Sequence, residues 1–395
     1  MRRRARILRA RAGAWVLRRL IRSRRLMALL RRRRPVARIA GRLWVTRHDD
    51  VVDVLGRDRD FGVPYLEPMA SLGAPFVLGL DDGPEYRRQA GALLHAVRPQ
   101  DLADIGRASG RAAERVLERA GGSVEAIGGL ADRVLAETAG PYLGTGPGDA
   151  RRIQQARDVF AEVFINGLGD PVVRERAQVS ARELRGQVED ALAARRSADD
   201  APDDVAGRLL ALERDGAGDR LMGDELADNL LGLLVAWTTS VSRTTGFALD
   251  ALLDRPDALA AARAAARAGD EPRVAALAFE ALRFQPSAPA VERVCTRRAR
   301  IAGRTVARGT PVLALLGSAM MDERSIERPR AFDPDRVPPA ALHFGHGLHA
   351  CLGRDISRVQ IGAIATALLR RDGVRRTGDL RMRGPYPHEL QVAFD

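Results

Sequence analysis

The chain has 395 residues, enough to bury a large core, but only two cysteines, which excludes a disulfide-stapled scaffold and favours a reducing compartment. Alanine, leucine and arginine dominate and lysine is absent, so the composition predicts a mainly helical protein. The formal net charge is +13, but residues 1–34 hold fifteen arginines and no acidic residue, so the rest of the chain carries a net charge of −2. The strongly basic character is therefore confined to the N-terminal segment.

In residues 1–34 the arginines alternate with apolar residues at roughly helical spacing, among them Trp15, Leu20 and Met27. No apolar run approaches the roughly 20 residues that span a bilayer. We predict an Arg-rich extension that is amphipathic or disordered, with three alternatives: a solvated tail, a contact with an anionic membrane or acidic partner, or a transit peptide. No nucleic-acid-binding module accompanies the charge, so nucleic acid is not predicted as a partner. The predicted location is cytoplasmic, and the alternative is a cytoplasmic protein in peripheral contact with a membrane.

The elements that follow are predicted from turn residues and apolar periodicity. The proline at the first turn marks the start of the helix that begins at residue 84. In chain order, the sequence predicts a hairpin over 36–46, a short helix over 49–55, a loop over 62–80, a helix over 84–97, amphipathic helices broken by glycines over 101–196, one long helix over 224–253, a helix over 273–284, strands within 305–316, a helix over 352–371 and a closing hairpin over 381–394.

A glycine-rich run, Phe344 to Gly353, presents Cys351 directly ahead of a predicted helix. Glycines permit close backbone approach to a flat cofactor, and a helix N-terminus favours a thiolate. A structural cysteine is one alternative. Zinc is another, because His343, His346, His349 and Cys351 are closely spaced, although closed zinc sites usually draw ligands from two separate segments. Cys295 has no partner at ligand spacing and is predicted to lie in the core.

The run from Phe344 to Gly353 resembles, position by position, the haem-binding pattern F-G-x-G-x-H-x-C-x-G of the cytochrome P450 family. Glu280 and Arg283, about seventy residues earlier, resemble the family's buried E-x-x-R pair. The resemblance implies that residues 35–395 form one triangular, mainly α haem domain with a minor β-sheet. It also implies haem b as cofactor, with Cys351 as axial iron ligand. The loop positions that would contact the cofactor are Phe344, Gly345, Gly347 and Gly353.

The same resemblance implies three propionate contacts, at Arg293, His349 and Tyr86. A guanidinium suits a carboxylate geometrically. Tyr86 stands where the family usually has histidine, and the family's last arginine in that motif is replaced by Ala90, so one guanidinium is lost on this side. The arginine that completes the E-x-x-R network is replaced by Ala331, with Arg330 one residue away as a candidate substitute.

The long helix resembles the family's A-G-x-[DE]-T-T helix, with Ala236 to Val241 on the motif. Ser240 keeps the hydroxyl of the predicted proton relay, whereas Thr239 replaces the acid and cannot supply a proton from a carboxyl group. Ala236 and Trp237 would border the distal pocket. Trp237 replaces a glycine, and its side chain either fills the oxygen groove or rotates away.

The resemblance implies a haem-thiolate monooxygenase that hydroxylates or epoxidises a small apolar or natural-product substrate in bacterial secondary metabolism. Thr239 and Trp237 favour, as alternatives, a peroxide-using or isomerising haem-thiolate enzyme. A non-catalytic haem-binding or partner-stabilising protein is the third hypothesis. A monooxygenase would receive electrons from a ferredoxin or flavodoxin, which Arg354 and Arg358 could contact.

Overall fold

A computed structural model describes residues 13, 15–17, 19–166, 169–197, 202–336, 341–383 and 386–395. These residues form two compact units. The first contains the described residues up to Pro64 together with Leu78–Gly83 and Phe279–Leu352, and the second contains Tyr65–Val77, Pro84–Ala278 and Gly353–Asp395. The division of the chain at residue 34 stays a prediction.

The first unit is built on a five-stranded sheet. The predicted hairpin forms, with Val36–Ile39 antiparallel to Arg42–Val45 around Gly41, which has a positive φ of 78°. The remaining strands follow in the order Pro311–Ala314, Val291–Cys295 and Phe61–Gly62, and the first of these is parallel to Arg42–Val45. A separate hairpin pairs Ala299–Ile301 with Arg304–Val306. The helices are Arg24–Arg33, His48–Gly56 and Leu316–Ala319.

The helix Arg24–Arg33 lies inside the predicted extension, yet it packs against the first unit. Met27 is 4% exposed and joins a cluster with Trp44 and Leu313. Arg31 is buried, and its Nη1 donates to the carbonyl oxygen of Ser318 at 3.1 Å and to its Oγ at 2.9 Å. This part of the Arg-rich segment is therefore folded structure. Residues 1–12, 14 and 18 of the predicted extension lie outside the described residues.

The second unit is mainly helical, and the predicted breaks at glycines separate its helices. Glycine also allows close helix packing: a Cβ built on Gly106 would lie 2.7 Å from Val359 Cγ1, on the helix that follows the cysteine loop. The helices are Leu66–Ser71, Pro84–Ala96, Leu102–Glu118, Asp132–Leu143, Ala150–Phe164, Pro171–Arg196, Val205–Arg214, Glu225–Leu253, Pro256–Arg267 and Arg354–Leu369, with shorter turns at Pro99–Asp101 and Ala126–Ala131. The turn Val77–Gly79 and the helix Glu271–Phe284 each continue from the second unit into the first.

Small sheets complete the second unit. Gln391–Ala393 lies between Ser123–Glu125 and Arg375–Arg376, and Arg381–Arg383 pairs with Tyr386–Glu389. The prediction of a mainly helical protein with a minor β component is confirmed. Among the described residues, no helix is both long enough and apolar enough to cross a membrane.

Candidate active site

The predicted cysteine loop is tightly folded in the first unit. Gly345 and Gly347 have φ angles of 73° and 75°, the left-handed region that favours glycine. A Cβ built on Gly347 would lie 2.1 Å from the carbonyl oxygen of Leu55, so this position admits no side chain. The amide of Cys351 donates to the carbonyl oxygen of Phe344 at 2.9 Å, which closes the loop and leaves Cys351 exposed.

Aromatic rings support the start of the loop. Phe344 packs on Phe279 with ring centres 5.3 Å apart, and His343 meets the same ring edge-on at 5.5 Å. Gly353, at the other end, has a φ of −87° and caps the helix Arg354–Leu369, so its backbone conformation is open to other residues. Among the described residues, no group of three or more His, Cys, Asp or Glu side chains is arranged to hold a metal ion.

His349, which is part of this loop, lies close to a buried arginine. Arg293 is 4% exposed on the strand Val291–Cys295. Burial, together with the positive charge of Arg293, lowers the pKa of His349 to about 4, and Asp82 only partly opposes this. His349 is therefore uncharged at neutral pH, while Arg293 keeps a positive charge in a low-dielectric setting. Such a pair suits the carboxylate edge of an anionic cofactor.

Glu280 and Arg283 form the predicted ion pair. Arg283 is 2% exposed and donates from Nη2 and Nε to the two carboxylate oxygens of Glu280, at 2.7 and 2.8 Å. The remaining guanidinium hydrogens bind mainly backbone: Nη1 donates to the carbonyls of Met320 at 3.1 Å and Pro329 at 2.5 Å, and Nη2 donates to that of Ala331 at 2.9 Å. Nη1 also lies 3.4 Å from Sδ of Met321. Backbone carbonyl oxygens therefore contribute to the network of Glu280 and Arg283, in which the family has a further arginine side chain.

The candidate substitute Arg330 is exposed. A different arginine, Arg336, donates to the carbonyl oxygen of Ala331 at 3.2 Å, the same oxygen that Arg283 contacts. The sequence analysis did not identify Arg336. This residue lies five positions after Ala331, which stands where the family has its arginine, and no motif indicates an arginine at that distance.

In the second unit, the long helix Glu225–Leu253 is buried from residue 226 to 252 except for one half-buried stripe. The stripe residues recur at spacings of three and four, as on one helical face. They are Leu233, Ala236, Trp237, Ser240, Arg243 and Thr244. Ala236 and Ser240 therefore share the one face of this helix that is left partly open, whereas Thr239, at 1% exposure, does not lie on it.

Trp237 lies on the edge of the stripe, with its indole directed at neighbouring helices. Its Nε1 donates to Oε1 of Gln360 at 2.5 Å, and its ring meets Tyr142 edge-on at 5.5 Å. Gln360 is fully buried, and its Nε2 donates to Ser109 Oγ at 3.0 Å and Thr138 Oγ1 at 3.1 Å. Of the two orientations considered for Trp237, these contacts favour the rotated one.

Tyr86 is half-buried on the helix Pro84–Ala96 in the second unit. The same helix is anchored by Arg88, which forms a two-pronged ion pair with Glu225 at the start of the long helix, with distances of 2.5 and 2.7 Å. Cys295 is fully buried, as predicted for a core residue.

A family model described as "Cytochrome P450" matches residues 160–375, which is more than half of the chain. The chain belongs to the cytochrome P450 family.

Curated relatives of this P450 have named activities. It is 28% identical over 342 residues to erythromycin C-12 hydroxylase of Saccharopolyspora erythraea, covering 85% of this chain and 83% of the relative. It is 29% identical over 341 residues to nocardicin C N-oxygenase of Nocardia uniformis subsp. tsuyamanensis, covering 83% and 81%. The solved structure of the open cytochrome P450 Eryk from S. erythraea superimposes with a TM-score of 0.79 at 26% identity, covering 93% of this chain and 94% of that one.

The P450 fold prediction is thereby confirmed, and this P450 is an enzyme of the monooxygenase type. The family uses haem, small-molecule substrates and redox partner proteins. The residues present fit a haem: an exposed thiol on a glycine-shaped loop, and a buried guanidinium beside a neutral imidazole for the acidic edge.

Proposed function

We propose that this P450 is a haem-thiolate monooxygenase that hydroxylates or epoxidises a small apolar or natural-product substrate. The observation that carries the proposal is the exposed Cys351 at the end of a loop whose Gly347 admits no side chain. The relatives named for oxidation of erythromycin and nocardicin C support the substrate class.

In this proposal the sulfur of Cys351 would bind the iron of haem b, and Phe344 would shield that sulfur from water. Thiolate-bound haem supplies the oxygen activation by which one oxygen atom reaches the substrate. Arg293 donates hydrogen bonds to a propionate, with His349 and Tyr86 as further propionate contacts. The buried pair of Glu280 and Arg283 holds the surrounding backbone in place through the carbonyl oxygens that Arg283 binds.

Ser240 holds the hydroxyl of the proton relay on the half-buried stripe of the long helix. Thr239 provides no carboxyl group, so the second member of the relay is ordered water or a substrate hydroxyl. Ala236 borders the distal pocket on the same stripe. Trp237 contributes by holding the long helix to Gln360.

A peroxide-using or isomerising haem-thiolate enzyme is the second candidate. The observation that favours it is Thr239, whose Oγ1 is buried and has no hydrogen-bond partner among the described residues. A relay of the ordinary kind would place a carboxylate at this position.

Oxygen labelling separates the two candidates. The haem-loaded protein is supplied with a macrolide aglycone or an aryl polyketide under ¹⁸O₂, with either ferredoxin, its reductase and NADPH, or hydrogen peroxide in place of the reductant. The proposal predicts products with one ¹⁸O atom only with the electron carrier. Products formed only with peroxide, and without ¹⁸O from dioxygen, would establish the second candidate.

We further propose a ferredoxin or flavodoxin as electron donor. Arg354 is exposed and Arg358 half-buried one turn apart on the helix that follows the cysteine loop, which suits acidic residues on a carrier. The rate of reduction by a ferredoxin should fall as salt rises, and R354E should lower it further. A rate that does not depend on salt would exclude this docking surface.

A further inference from the structure

A small cavity lies inside the second unit, beside the start of the helix Ala150–Phe164. Its volume is about 10 Å³, which is room for one water molecule or one monatomic ion. Leu135, Ala136, Ile153 and Leu234 contribute apolar walls, and Arg152 is the only charged residue in the lining. The cavity is therefore a largely apolar space with one guanidinium at its edge.

Arg152 is 6% exposed, and only part of its guanidinium is hydrogen-bonded. Its Nη1 donates to the carbonyl oxygens of Thr145 at 3.0 Å, Gly146 at 3.1 Å and Pro147 at 3.4 Å. Its Nε and Nη2 are buried and have no hydrogen-bond partner among the described residues. Because Nη1 is bound to the loop over 145–147, Nε and Nη2 are the two nitrogens left to bind a group in the cavity.

The positive charge of Arg152 is not neutralised by a neighbouring acid. No carboxylate in the described part of the chain accepts a hydrogen bond from this guanidinium. The charge of Asp149 favours the protonated guanidinium, but burial outweighs it and lowers the pKa of Arg152. The carboxylate of Asp149 is exposed and caps the helix, where it accepts from the backbone amide of Arg152 at 2.8 Å. A buried charge without a counter-charge is costly, and buried N–H groups without acceptors add to that cost.

The missing partner must be an acceptor, because a guanidinium only donates hydrogen bonds. The hydroxyl of Thr238, which also lines the cavity, donates to the carbonyl oxygen of Leu234 at 2.8 Å, so Arg152 is the side-chain donor that faces this space. A water molecule would accept a hydrogen bond but would leave the charge of Arg152 in place. An anion satisfies both requirements, and the nearby helix N-terminus favours negative charge.

We propose that a single chloride ion binds in this cavity, against Nε and Nη2 of Arg152. The volume admits a monatomic anion but not sulfate, phosphate or an organic acid. The bound ion would stabilise the packing of the loop over 145–147 and the start of the helix Ala150–Phe164 against the long helix, whose Leu234 and Thr238 line the same cavity. Neither of these two residues belongs to the half-buried stripe that carries Ser240, so this anion site does not depend on the proposed function.

The direct test is crystallographic and uses bromide as the probe. Crystals of the haem-loaded protein are grown without chloride, soaked in sodium bromide and measured at the bromine absorption edge. The proposal predicts an anomalous peak in contact with Nε and Nη2 of Arg152. Density for a water molecule without an anomalous peak would overturn it.

A second test asks whether the ion binds in solution. The unfolding temperature of the haem-loaded protein is measured as sodium chloride replaces sodium gluconate at constant ionic strength, since gluconate is too large for the cavity. Wild type should show a saturable rise of about 2 °C or more, because a ligand that binds only the folded state stabilises it. R152Q keeps amide hydrogens for the loop carbonyls but removes the charge, so it should lose this rise.

The matched control is R151Q. Arg151 is the exposed neighbour of Arg152 on the same helix and pairs with Glu183 at 2.8 Å, so R151Q should keep the full response to chloride. An unfolding temperature of wild type that is equal in chloride and gluconate, or a rise retained in R152Q, would overturn the proposal. If R152Q does not fold, the bromide measurement on wild type still decides the outcome.

Discussion

At the scale of single residues, the contacts of Trp237 change how the long helix is understood. A tryptophan in place of a glycine left two orientations open, one that fills the oxygen groove and one that is rotated away, and the indole donates to the fully buried Gln360. Trp237 is thus a positioning residue that joins the long helix to the helix that follows the cysteine loop.

A double-mutant cycle tests this contact. W237F leaves Oε1 of Gln360 buried without its donor and should lower the free energy of unfolding by about 1–3 kcal/mol. Q360M removes the acceptor and leaves Nε1 of Trp237 without a partner, whereas the double variant lacks both polar groups of the bond, so it should lose less than the sum of the single changes. Urea unfolding of the four proteins gives the coupling free energy, and strict additivity would show that the bond contributes nothing.

The two loop glycines provide a second residue-scale prediction. Both have positive φ, but a Cβ on Gly347 would lie 2.1 Å from a carbonyl oxygen, whereas one on Gly345 would have its nearest neighbour at 3.9 Å. G345A should cost about 1 kcal/mol of stability from backbone strain alone. G347A should cost several times more, about 3 kcal/mol or above, because the backbone must also move.

Haem retention and urea unfolding measure both glycine variants. Equal losses in G345A and G347A would mean that backbone conformation, and not the contact with Leu55, constrains the loop.

At the scale of elements, the helix Pro84–Ala96 is tied to the long helix by Arg88 and Glu225. Burial alone would raise the pKa of Glu225, but hydrogen bonds and the charge of Arg88 outweigh it, so this pKa lies below its usual value. A carboxyl with a lowered pKa stabilises the folded state above its unfolded pKa and loses that contribution as pH falls.

Wild type should therefore exceed E225Q in stability at pH 7 by about 1–3 kcal/mol, and the difference should shrink as the pH falls below about 4.5. Chemical unfolding of both proteins from pH 7 to pH 3 checks this. A difference that stays constant over that range would mean that the ion pair does not account for it.

The N-terminal helix is a second element-scale case. Arg31 is buried against Ser318, whereas Arg33 on the same helix is exposed. R31A should lower the free energy of unfolding by about 1.5–3 kcal/mol, since it removes charged hydrogen bonds inside the unit. R33A should change it by less than about 0.5 kcal/mol. Equal small effects would support a detached extension.

At the scale of the whole molecule, the sequence predicted the features that depend on a fixed spacing of residues along the chain. The cysteine loop and the pair of Glu280 and Arg283 are local patterns, so their geometry follows from a few neighbouring residues. The long helix was predicted over 224–253 and spans Glu225–Leu253, because Asp224 and Arg255-Pro256 mark its ends.

What the sequence could not predict depends on tertiary packing. Arg336 reaches the carbonyl of Ala331, and Tyr386 meets Arg243 from the other end of the chain, with no local pattern to indicate either. The burial of Arg31 had a weak signal, since Met27 lies four residues before it on the same helical face, but the density of arginines concealed it.

The central claim is that Cys351 is the haem ligand, and the absorption spectrum of the dithionite-reduced, carbon monoxide-bound protein tests it most directly. The account predicts a Soret band strongly red-shifted from that of imidazole-ligated haem in wild type and in C295S, and its loss in C351A. A band at the imidazole position in wild type, or a purified protein that binds no haem, would contradict it.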